Sequence, residues 1–186
     1  MMFLEKIIPK FITLILRVNK VLLYGNGSYT RRYLYAGDAA EAFNTILHKG
    51  EVGQTYNIGS YDEVSHIEIV EKIVREIDTT GRHHHRSAAD VDLAQWIYST
   101  PNRPFMDQRY GVDFSKLRML GWFPKTSFED GLYRTVERYR KFGEDWWGDI
   151  SANLGAGESK SHPSENSLGT SLLVNMNSSE SKRPGQ

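Results

Sequence analysis

Apolar residues along the chain fall into two patterns, amphipathic stretches with helical spacing and short unbroken runs closed by glycine, and their alternation predicts an α/β order. The first helix is expected from about Ile8 to Val18. Pro9 falls in its first turn, where a missing N–H costs nothing, and Asn19 and Lys20 end it. Val21 to Tyr24 reads as a short buried strand, and Gly25-Asn26-Gly27-Ser28 as a turn leading to a second strand-like run, Tyr33-Leu34-Tyr35. Asp38 sits where an N-cap belongs, ahead of a helix carried by Ala39, Ala40, Ala42, Phe43, Ile46 and Leu47 and closed by Gly50.

A second β-then-α step follows. Thr55 to Ile58 is expected as a strand closed by Gly59. Ser65 with Glu68 forms a capping box for a helix through Ile77, whose apolar face is Ile67, Ile69, Val70, Ile73, Val74 and Ile77. Between Asp78 and Gln95 the periodicity lapses into a polar loop carrying Arg82-His83-His84-His85-Arg86. Strands are expected at Trp96 to Ser99 and Tyr110 to Val112, then a short helix through Lys116, Leu117 and Leu120 that Gly121 ends. The last helix opens on a capping box of Thr126 and Glu129 and buries Phe128, Leu132, Val136 and Tyr139, with Trp146 and Trp147 following it and covering its end. Residues 150–186 are rich in Ser, Asn and Gly and are expected to be a disordered tail, with Leu172-Leu173-Val174 an incidental apolar triplet.

Composition narrows this further. A chain of 186 residues with 39% hydrophobic content supports one core, so residues 1–149 are expected as a single domain. Lys plus Arg and Asp plus Glu each number 23, leaving no global field for nucleic acid or an anionic membrane, and any phosphate site must be local. The absence of Cys removes disulfides, thiolate nucleophiles and Cys-based zinc sites, in keeping with a cytoplasmic location. Phe11 to Leu16 is too short to span a membrane and lacks the cleavage site of a signal peptide, so it reads as part of a buried helix.

Three segments carry candidate chemistry. In Gly25-Asn26-Gly27-Ser28-Tyr29-Thr30-Arg31-Arg32, glycines permit close backbone approach and two guanidiniums can grip a diphosphate; the same residues also fit a tight turn with a solvated basic pair. Asn57, in Tyr56-Asn57-Ile58-Gly59, can offer its amide to a ligand or cap a turn. The loop Asn102-Arg103-Pro104-Phe105-Met106-Asp107-Gln108-Arg109-Tyr110 can contact a ligand or be held by an internal Arg–Asp pair. The consecutive histidines 83–85 do not converge on one ion, so no metal site is expected.

Taken in order, Phe3-Leu4-Glu5-Lys6-Ile7-Ile8-Pro9, Tyr24-Gly25-Asn26-Gly27 leading to Arg31-Arg32-Tyr33-Leu34-Tyr35 and Asp38, Tyr56-Asn57-Ile58-Gly59, Asn102-Arg103-Pro104 with Asp107 and Arg109-Tyr110, Leu120-Gly121-Trp122 with Pro124, and Glu129-Asp130-Gly131-Leu132 resemble the extended short-chain dehydrogenase/reductase family, specifically its dTDP-glucose and UDP-glucose 4,6-dehydratases. Trp146-Trp147-Gly148-Asp149 is similar to the ending of the rhamnose-synthesis members, which favours UDP. The resemblance implies an α/β carboxyl-terminal substrate-binding lobe whose NAD-binding Rossmann lobe is absent. It implies a UDP- or dTDP-glucose ligand contacted by Lys6, Tyr24, Arg31, Asn57 and Arg103, NAD as cofactor in the intact family but not held by this chain alone, and a homodimer as the assembly of the intact family.

The implied family reaction moves hydride from carbon 4 of the glucosyl group to NAD, eliminates water across carbons 5 and 6, and returns the hydride to carbon 6. A glycine-rich NAD loop, a Tyr-x-x-x-Lys pair and an Asp-Glu pair are absent from this sequence, so no catalytic residue is assigned and the chain is expected to be an inactive fragment. Asn26, Arg32 and Met106 depart from the residues common at their positions in the family. Two other readings stand beside this one: a non-catalytic interaction module, and the lobe of a related epimerase or decarboxylase.

Overall fold

The computed structural model describes residues 6–79, 92–105 and 107–147. The tail, the His83–His85 run, Met106 and the Leu172–Val174 triplet lie outside the described residues.

Helix α1 (Ile7–Leu16) is apolar almost all round and is accordingly buried almost all round, from Pro9 through Phe11, Ile12, Leu14 and Ile15. It ends in a Schellman turn, with the Asn19 and Val18 amides donating to the carbonyls of Leu14 (2.9 Å) and Ile15 (3.0 Å). The left-handed residue of that turn is Val18, at φ 58°, where a β-branched side chain is strained.

Strand β1 (Val21–Tyr24) pairs in parallel with β4 (Ile97–Thr100), Val21 opposite Ile97 and Tyr24 opposite Thr100. Between them come β2 (Thr30–Arg32), α2 (Ala36–Lys49), β3 (Glu63–Ser65) and α3 (His66–Thr79), with β2 and β3 antiparallel. A 3₁₀ turn, Leu93–Gln95, leads into β4, and α4 (Ser115–Met119) and α5 (Phe128–Trp147) complete the order.

Among the described residues the buried apolar side chains gather in a main cluster and a smaller one. The larger joins α1, β1, α3 and α5 through Ile12, Ile15, Val21, Ile69, Ile73, Val74 and Val136. The α3 face is buried as its periodicity requires, and its capping box is present: Ser65 N–H and Oγ–H donate to Glu68 Oε2 (2.7 and 2.6 Å), while Glu68 N–H donates to Ser65 Oγ (3.3 Å). The smaller cluster, Ala42, Phe114, Leu117 and Trp122, seats α4 against α2. Phe43 and Leu47, on the other side of α2, are exposed.

Several expectations are corrected. The second strand is Thr30–Arg32 rather than Tyr33–Tyr35, because pairing with β3 begins earlier. Thr55–Ile58 and Tyr110–Val112 have strand-like composition and no ladder partner among the described residues, so neither is a strand. Asp38 does not cap α2, which starts at Ala36; it lies inside the first turn, buried, and caps a distant segment instead. Its Oδ2 accepts from the Lys125 and Thr126 amides (3.0 and 2.8 Å) and its Oδ1 from Thr126 Oγ1 (3.1 Å). That diverts Thr126, and the α5 box forms one residue later: Ser127 Oγ accepts from Asp130 N–H (3.1 Å) and donates to Asp130 Oδ2 (2.9 Å). Trp146 and Trp147 lie within α5 rather than after it.

Candidate functional site

Parallel pairing of β1 and β4 brings their carboxyl ends to one edge, so the loops after Tyr24 and after Thr100 run side by side. Such edges are where open α/β folds collect ligand contacts. The Gly25 amide donates to Thr100 O at 2.7 Å and the Thr30 amide to Gln108 O at 3.0 Å, fastening the two loops along their length. Gly25, at φ 59°, holds a left-handed backbone that favours glycine, and a Cβ there would displace the Asn102 side chain. Gly27, at φ 74°, lies buried against Leu23 and Ile67.

Across this seam two cations stack on aromatic rings. The Arg103 guanidinium lies 4.3 Å from the Tyr24 ring centroid, and that of Arg31 lies 4.6 Å from the Tyr110 ring. Arg31 Nη1 also donates to Thr30 O at 2.6 Å. Stacking orients both guanidinium planes, and among the described residues the one side-chain hydrogen bond of the pair is that of Arg31, which leaves N–H groups of each for a ligand. Beside Arg31, burial holds the Tyr33 hydroxyl up at about 12, and its oxygen is buried with no hydrogen-bond partner among the described residues. His66, half-buried and close to Arg31, has its pKa lowered, first by burial and then by that charge.

The five residues named from the sequence are therefore placed unevenly. Tyr24 stacks with Arg103 and Arg31 with Tyr110, two separate pairs that each touch the segment following β4. Asn57 is exposed and donates its side-chain N–H to Asp113 O at 3.1 Å, tying it to the end of the same connection. Lys6 is exposed at the start of α1, with no side-chain contact to the others among the described residues.

Adjacent residues on a strand face opposite ways, so Arg31 and Arg32 do not form a joint diphosphate grip. Arg32 stands cross-strand from Glu63, with Nε 3.5 Å from Oε2. Glu63 also receives Thr30 Oγ1 (2.9 Å) and a two-pronged contact from Arg109, Nε at 2.5 Å and Nη2 at 2.9 Å. These donors, Arg109 first, hold its carboxyl well below the usual carboxylate range, at about 2. Glu63 carries no local sequence signal; only the β2–β3 register reveals it. Beyond it opens a cleft of about 530 Å³ lined by Arg32, Tyr61, Arg109, Tyr110, Val112 and Arg118.

The Gly25–Gly27 loop leads into a strand, not a helix amino terminus, so the described residues do not build a dinucleotide phosphate site and no step through NAD is assigned to them. Among the described residues no cluster of His, Asp and Glu could hold a metal ion, and no helix is long and apolar enough to cross a membrane.

An α/β order with arginine-bearing loops at the ends of parallel strands is the architecture of extended short-chain dehydrogenases. The dTDP-glucose 4,6-dehydratase of Bacillus anthracis, solved in complex with NAD, superposes with a TM-score of 0.64 at 33% identity, over 82% of this chain and 43% of that one. The chain belongs to the GDP-mannose 4,6 dehydratase family, whose sequence profile matches residues 1–135.

It is similar to a trifunctional UDP-glucose 4,6-dehydratase/UDP-4-keto-6-deoxy-D-glucose 3,5-epimerase/UDP-4-keto-L-rhamnose-reductase of Arabidopsis thaliana, 41% identical over 152 residues, 82% of this chain and 21% of that protein. It is also similar to the dTDP-D-glucose 4,6-dehydratase of Mus musculus, 38% identical over 142 residues, 76% of this chain and 38% of that protein. The chain thus spans between about one fifth and two fifths of the relatives it matches.

Proposed function

We propose that residues 1–149 form the sugar-nucleotide-binding lobe of a UDP- or dTDP-glucose 4,6-dehydratase, with Arg31 and Arg103 on the diphosphate, Tyr24 and Asn57 on the nucleotide side, and Lys6 at the rim. The observation that carries this reading is the Arg103–Tyr24 stack, which closes two family segments on each other at the carboxyl edge of the parallel strands. Two cations already oriented by aromatic rings lose little freedom on gripping a diphosphate, which favours affinity. The identities to dehydratases support that branch over the epimerase and decarboxylase branches.

Isothermal titration with UDP-glucose and dTDP-glucose tests the proposal. Saturable binding weakened about tenfold in Arg103→Gln is expected, the scale of one lost charge-assisted hydrogen bond. A folded sample that binds neither sugar nucleotide overturns it.

A further inference from the structure

The cleft beside Arg32 borders the seam at Tyr110, the ring on which Arg31 stacks, and the reading above does not use it. We propose that it is a second ligand site, taking a small organic phosphate that carries a flat ring.

The charge arrangement is the first ground. Three guanidiniums, those of Arg32, Arg109 and Arg118, line the cleft. The carboxylates facing them are Glu63 and Asp113. Glu63 engages Nε of Arg32 and Nε and Nη2 of Arg109, leaving the remaining N–H groups of both. Asp113 is turned to Ser115, accepting from its amide (2.9 Å) and its hydroxyl (3.2 Å). Arg118 is exposed and lies 5.5 Å from the Phe123 ring centroid; after the hydrogen bonds from Ser115 its charge helps to lower the pKa of Asp113, and it makes no direct ion pair among the described residues. Three cations against two committed carboxylates leave a net positive, donor-rich concavity, the setting in which arginines bind phosphate.

Shape is the second ground. Tyr61 and Tyr110, each more than half exposed, present phenol rings to the same cleft. Tyr61 is braced edge-on by Phe114 at 5.0 Å and Tyr110 by the Arg31 guanidinium, so both rings are held for stacking. Arg32 and Gly111 both line the cleft, and the guanidinium carbon would lie 3.1 Å from a Cβ at Gly111, so the glycine permits its close approach. A volume of about 530 Å³ lies within the range of small-molecule sites.

Alternation along β2 puts Arg31 and Arg32 on opposite faces, Arg31 opposite core residue Val64 and Arg32 opposite Glu63, so the two sites adjoin at the Tyr110 ring and draw on different arginines. Arg103, which stacks on Tyr24 and does not line the cleft, is the residue that separates them in a test.

Phenyl phosphate, with inorganic phosphate alongside, is titrated into the full chain and into Arg118→Gln, Val112→Glu and Arg103→Gln variants, followed by calorimetry and by backbone amide shifts. Saturable phenyl phosphate binding is expected, tighter than inorganic phosphate and with shifts centred on residues 109–118. Arg118→Gln is expected to weaken it about tenfold, and Val112→Glu, which puts a carboxylate on an exposed wall of the cleft, at least as much. Arg103→Gln is expected to leave phenyl phosphate affinity unchanged while weakening UDP-glucose. Both cleft substitutions are at exposed positions, and their melting temperatures verify folding. The inference is overturned if the parent chain shows no saturable binding, if inorganic phosphate binds as tightly as phenyl phosphate, if affinity survives both cleft substitutions, or if Arg103→Gln abolishes it.

Discussion

Glu63 is the charge on which the basic cluster closes. Its carboxyl, near 4.5 in an unfolded chain, is brought down to about 2 by Arg109, Thr30 and Arg32. Because the folded-state value is the lower one, ionised Glu63 contributes stability above about pH 4.5 and loses it as pH falls towards about 2. Melting temperature followed from about pH 6 to about pH 3 should therefore fall more steeply in the parent chain than in Glu63→Gln, which has no such proton to take up.

Val18 offers the opposite case, a residue the fold tolerates at a cost. It is exposed and holds φ 58° in the Schellman turn, so Val18→Gly removes strain and little packing. Urea unfolding should show it more stable by about 1 kcal/mol. Asp38→Ala should act in the other direction, costing about 2–4 kcal/mol by the same measurement, because the Lys125 and Thr126 amides lose their shared acceptor.

Among the elements, those legible in the sequence are those whose determinants are local. The Ser65–Glu68 box and the α3 face lie within a few residues of each other, and both form as read. β1 was legible because a short apolar run before a glycine turn suffices. Thr55–Ile58 and Tyr110–Val112 show the limit: strand character is a property of a pair, and no run of residues states whether its partner exists.

The α5 cap shows the same limit in a helix. Thr126 satisfies the box pattern as well as Ser127 does, and what removes it is a carboxylate 88 positions away. Ser127→Ala should therefore lower stability by about 1 kcal/mol through loss of the α5 cap, while Thr126→Ala, which keeps its amide on Asp38, should cost less; paired urea curves check the order. In the candidate site, Tyr24, Arg31 and Arg103 were recognisable as motif residues, whereas Glu63 and the Arg32–Arg118 cleft follow only from register and loop packing.

At the scale of the molecule, two apolar clusters share the work of holding the chain, and α2 presents Phe43 and Leu47 to solvent beyond the smaller one. Replacing both by Ser should raise solubility and leave unfolding free energy within about 0.5 kcal/mol, since neither side chain is buried by folding. Sugar-nucleotide binding, if it occupies the seam as proposed, should register as global stabilisation, about 2.7 kcal/mol at a ligand concentration of about one hundred times Kd, because the loops it grips belong to the β1–β4 pair at the main cluster.

The Asp38 carboxylate gives this organisation a clock. By holding the Lys125 and Thr126 amides, it makes the approach to α5 depend on the first turn of α2, although the two segments are far apart in sequence. In deuterated water those two amides should exchange no faster than the first turn of α2 opens, so that a loop devoid of regular structure carries the protection of a helix.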